Sequence, residues 1–78
     1  MTALEKYDKL FMDSFLVMKK ELEGLNYRGI AQWDSIGHMD LMSAMEECFG
    51  VTISTLDVLD FSSYRKGKEI LAKYGVEL

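Results

Sequence analysis

Seventy-eight residues, 49% apolar and 28% charged, suit one soluble helical domain, but a chain this short buries only ~60% of the surface its unfolded form exposes, too little for a large enclosed active site. The one cysteine, Cys48, has no intramolecular disulfide partner, no stretch approaches the roughly 20 apolar residues of a bilayer span, and no basic-then-apolar leader opens the chain, so a cytoplasmic, non-membrane protein is expected. The net charge of −4 lies in the middle: residues 29 to 64 hold Asp34, Asp40, Glu46, Glu47, Asp57 and Asp60 and no Lys or Arg, while both flanks are balanced or basic. That predicts repulsion of nucleic acid and attraction to a basic protein surface, and a solvated face kept for solubility explains the charge equally well.

Thr2 and Glu5 have the spacing of a capping box, and Tyr7, Leu10, Phe11, Phe15, Met18, Leu22 and Leu25 then recur at three- and four-residue intervals. The pattern predicts a first helix over Leu4 to Glu23, stopped by Gly24. Gly24 to Trp33 has no period and reads as a long loop, pinned to the core by Leu25, Tyr27, Ile30 and Trp33. Asp34 or Ser35 caps a second helix to about Cys48, ended by Gly50, with Leu41, Met42, Met45 and Phe49 inward. Gly37, Asp40, Ala44 and Glu47 are then expected outward, and Met39, Ser43 and Glu46 at the border.

Val51 to Ile53 is too short for a sheet and reads as loop. Ser54 to Asp57 predicts a short third helix through Leu59 with Phe61 turned inward, and Ser62 or Ser63 caps a last helix ended near Gly75. The expected fold is all-α, one domain over residues 1–78, a four-helix bundle with three long helices and a short third.

Ser35 opens the second helix, where free backbone N–H groups and the helix dipole favour a phosphate, although a serine at a helix start is most often only a cap. Its surroundings, Trp33-Asp34-Ser35-Ile36-Gly37-His38-Met39-Asp40-Leu41, resemble the Asp-Ser-Leu attachment motif of acyl and peptidyl carrier proteins. The order of a long helix, a long loop, Asp-Ser at the second helix, a short acidic third helix and a fourth extends the resemblance over essentially the whole chain. It implies a bundle of the acyl-carrier type and covalent 4'-phosphopantetheine on Ser35, added by a phosphopantetheinyl transferase and used to carry acyl or aminoacyl groups as thioesters.

By the same resemblance Asp34 assists the transferase, and Met39, Asp40, Glu46, Glu47, Asp57 and Asp60 form a docking face for loading and processing enzymes with basic patches. The carrier itself catalyses nothing, and a monomer is expected. Trp33 stands where a small residue is usual before the Asp, Ile36 replaces Leu, and His38 stands where a polar or acidic residue is more familiar. These departures point to a specialised biosynthetic carrier rather than the housekeeping one of fatty acid synthesis.

Two rival readings come from other classes. An unmodified acidic adaptor that binds one basic partner accounts for the charge but leaves the Asp34-Ser35 placement to coincidence. A serine hydrolase using His38, three residues after Ser35, lacks an orienting group and an oxyanion hole, so His38 is expected to pack, half-buried, against Trp33 or the loop. One His and one Cys make no protein-only metal site.

Overall fold

The structure is a computed structural model that describes all 78 residues. Helix α1 spans Ala3–Phe15, α2 Ser35–Phe49, α3 Thr55–Asp60 and α4 Tyr64–Lys73, with a 3₁₀ segment at Lys19–Gly24. The chain is 64% helical and strand-free, and a single antiparallel bridge joins Asn26 to Ser63.

Helix α1 starts as its capping box dictates, with Glu5 N–H donating to Thr2 Oγ1 at 3.1 Å and Thr2 N–H to Glu5 Oε1 at 2.8 Å. It ends nine residues before the glycine that the pattern pointed to, because Leu16 turns into the left-handed region at φ 55°. The Phe15 carbonyl, which another turn of helix would have used, instead accepts from Gln32 Nε2 at 3.1 Å. The predicted single helix to Glu23 is thus two pieces, and the apolar spacing of Met18, Leu22 and Leu25 falls on the 3₁₀ segment and its flanks, where Leu22 and Leu25 are buried and Met18 is exposed.

The expected pinned loop begins after Gly24, which closes the 3₁₀ segment, and runs from 25 to 33. Tyr27 N–H donates to the Ser62 carbonyl and Tyr64 N–H to the Leu25 carbonyl. Trp33, fully buried, stacks on Phe15 with centroids 5.2 Å apart and meets Phe11 edge-on at 5.5 Å. These rings join Tyr7, Leu41, Met45, Phe61, Ile70 and Leu71 in one core of fourteen buried residues. A buried side chain of this size contributes roughly 1.5–3 kcal/mol.

Helix α4 lies close against this core through Gly67, where an added Cβ would stand 2.2 Å from both Phe61 Cζ and Tyr7 Oη. The phenols there are fully used: Tyr7 OH donates to the Tyr64 carbonyl at 2.6 Å and Tyr64 OH to Asp8 Oδ1 at 2.5 Å. Burial pushes both phenols well above the ordinary tyrosine range, so they remain donors. Ser63, the second of the two expected caps, receives Lys66 N–H at 2.9 Å, and Gly75 takes φ 83° just past the helix end.

Helix α3 is short, and side-chain bonds hold it. Ser54 caps it at Asp57 N–H. Asp57 Oδ1 accepts from Lys73 Nζ and Oδ2 from Tyr74 OH, both at 2.5 Å, and Tyr74 OH in turn accepts from Ser54 N–H at 2.9 Å. The Lys73 ammonium, then the Tyr74 hydroxyl, hold the Asp57 carboxyl below its usual range, and Asp57 raises Lys73 in return.

Candidate functional site

The segment that carries the motif is built from the loop inward. Arg28 N–H donates to the Trp33 carbonyl at 2.8 Å and closes the loop into a ring just before the helix. Asp34 follows in extended conformation and caps α2, its Oδ1 accepting from Gly37 N–H at 2.8 Å. Capping therefore falls to Asp34, and Ser35 becomes the first residue of α2, exposed, with its hydroxyl in none of the side-chain hydrogen bonds.

The helix start is pressed tightly on the loop. A Cβ at Gly37 would fall 2.1 Å from the Gln32 carbonyl oxygen, so Gly37, expected to point outward, is instead required by this close approach. Ala44 is likewise half-buried rather than outward.

His38 is buried beyond the half-buried placement expected of it, and it does pack on Trp33. Trp33 Nε1–H donates to His38 Nδ1 at 2.9 Å. That fixes Nδ1 as an acceptor and makes Nε2 the protonated nitrogen, which donates to the Val58 carbonyl at 2.7 Å. One imidazole thus ties loop, α2 and α3 together, and neither ring nitrogen is free to serve Ser35 as a base.

The residues expected on a docking face divide into two groups. Met39, Asp40, Glu47 and Asp60 are exposed. Glu46 is half-buried and accepts from Ile53 N–H at 2.8 Å, where it holds the turn after α2. Asp57 departs from the expectation: it is buried, and both its oxygens are committed to Lys73 and Tyr74.

Three exposed apolar residues that the helical pattern did not single out stand beside the acids: Ile36 is 75% exposed, Leu56 78% and Leu59 76%. Ile36 and Met39 lie one turn apart on α2, Leu56 and Leu59 one turn apart on α3. An open groove of about 350 Å³ between the two helices is lined by Met39, Met42, Ile53, Val58 and Leu59. The signal available in the sequence was the Leu56–Leu59 spacing on a helix whose inward residues are Asp57 and Val58.

No family model, curated protein or solved structure matches this chain. No group of His, Cys, Asp and Glu is arranged to hold a metal, and no helix is long and apolar enough to cross a membrane. A phosphodiester fits the residues present at Ser35: the hydroxyl is exposed, and the Ser35 and Ile36 N–H groups, at the positive end of α2, precede the first helical hydrogen bond.

Proposed function

We propose that this chain is a carrier protein of the acyl or peptidyl carrier type, in which Ser35 receives 4'-phosphopantetheine. The observation that carries the reading is the division of labour at the start of α2. A serine there usually caps, but here Asp34 caps and leaves the Ser35 hydroxyl exposed and unbonded.

In loading, Ser35 Oγ forms a bond to phosphorus of the coenzyme A pyrophosphate as the bond to the adenosine bisphosphate leaving group breaks, and the hydroxyl proton passes to a base of the transferase. Asp34 commits Oδ1 to Gly37 and leaves Oδ2 to help position the transferase's metal. Bound on Ser35, the arm would supply a thiol that carries acyl or aminoacyl groups as thioesters. The chain itself contributes presentation rather than catalysis.

Exposed Ile36, Met39, Leu56 and Leu59 offer an apolar centre for partner enzymes, with Asp40, Glu47 and Asp60 as an acidic rim. Each rim charge pair is worth about 1 kcal/mol or less and acts mainly on encounter rate and partner choice. The same face also favours a second reading, an unmodified adaptor for a basic partner.

Transfer of a fluorescent coenzyme A conjugate by a broad-specificity phosphopantetheinyl transferase tests the first reading. Label on the wild type and on Ser14→Ala but not on Ser35→Ala is expected. An unlabelled, folded wild type would overturn the carrier and leave the adaptor.

A further inference from the structure

The carrier reading leaves one charge unexplained. An arm on Ser35 brings a phosphodiester anion next to the Asp34 carboxylate, at the head of a stretch with six acids and no Lys or Arg. Arg28 is the cation nearest to Ser35 in sequence, seven residues before it. Its backbone N–H is bonded to the Trp33 carbonyl, and Ser35 is two residues further on, at most about 7 Å of chain.

Arg28 and Asp34 also line one open depression of about 250 Å³, floored by Gly29, Ile30, Ala31 and Trp33. The guanidinium takes part in none of the five ion pairs of the protein and lies over the Tyr27 ring, 5.4 Å from its centroid. Arg28 is held in the left-handed region at φ 64°, which a non-glycine residue adopts at a cost. An exposed cation in no ion pair, held by backbone in a disfavoured conformation and lining a concavity together with Asp34, the residue before the attachment point, is suited to receive an anion.

We propose, resting on the carrier reading, that the arm on Ser35 lies back across the 28–34 loop, its phosphodiester held by the Arg28 guanidinium and its pantoate portion in the depression against Ile30 and Ala31. Arg28 then acts as a positioning residue for the arm. It offsets the repulsion from Asp34 and biases the arm toward the loop side of Ser35, away from the groove between α2 and α3.

Proton NOEs between the pantoate methyl groups and the protein test this in the phosphopantetheinylated protein. NOEs to Ile30 and Ala31 are expected in the wild type and are lost in Arg28→Gly, a substitution that removes the cation and suits the positive φ, so that the loop keeps its fold. Arg28→Lys, which keeps the charge, retains them in part. A loaded wild type without these NOEs, or with NOEs unchanged in Arg28→Gly, overturns the proposal and leaves the carrier reading intact. A protein that gains no arm on Ser35 overturns both.

Discussion

Replacing Gly37 by Ala sets two effects of opposite sign against each other at the head of α2. Alanine is the better helix former, by at most about 1 kcal/mol and less near a helix end. The added Cβ would meet the Gln32 carbonyl oxygen at 2.1 Å. That atom belongs to backbone whose neighbours are fixed, with Trp33 in the core and Gln32 Nε2 on the Phe15 carbonyl, so it cannot swing aside as a side chain would. Overpacking costs about 1–3 kcal/mol, and a backbone obstacle places this case at the upper end. The clash wins, for a net loss of about 2 kcal/mol, which in a domain of this size lowers Tm by ~8–16 °C. Thermal unfolding followed by far-ultraviolet circular dichroism reads it. Gly24→Ala is the control, since nothing lies within 4 Å of a Cβ there. A Tm for Gly37→Ala at or above that of the wild type would refute the reasoning.

His38→Ala leaves Trp33 Nε1 and the Val58 carbonyl without their partner and opens a cavity, an expected loss of about 3 kcal/mol measured by urea unfolding. An unchanged midpoint would count against the imidazole bridge. Asp57 has a depressed folded pKa, so its stabilisation is present above the ordinary carboxylate range and lost as pH falls through and below it. Lys73 has a raised one, so its share is present below the ordinary lysine range and lost as pH rises through its folded pKa. Asp57→Asn should therefore lower Tm at neutral pH and converge with the wild type in acid, and parallel curves of Tm against pH would contradict this. If a loaded acyl chain enters the groove between α2 and α3, the ε-methyl NMR signals of Met39 and Met42, which line it, shift more than that of Met45, which is fully buried elsewhere in the core. Equal or absent shifts would place the chain outside the groove.

Helices α2, α3 and α4 were legible because each carries its own signal: Asp34, Ser54 and Ser63 as caps, Gly50 and Gly75 as stops. The break in α1 was not, because no glycine or proline marks it. Leu16 takes a left-handed conformation that leucine does not favour, and the Phe15 carbonyl is claimed by Gln32, seventeen residues away. The same non-local packing hid the roles of Gly37 and Asp57. A glycine in a helix and an acid in an acidic stretch look like surface positions until the loop and α4 close on them. The attachment reading of Ser35 rests on its neighbours in sequence, while the capping of α2 by Asp34 rather than Ser35 is visible only in the folded geometry.

The most direct measurement of the central claim is the intact mass of the protein after incubation with coenzyme A, magnesium and a phosphopantetheinyl transferase, with fragmentation to place any added group. The account predicts one phosphopantetheine per chain, on Ser35 and absent from Ser35→Ala. An unchanged mass in a folded wild type, or an adduct on any other residue, would contradict it.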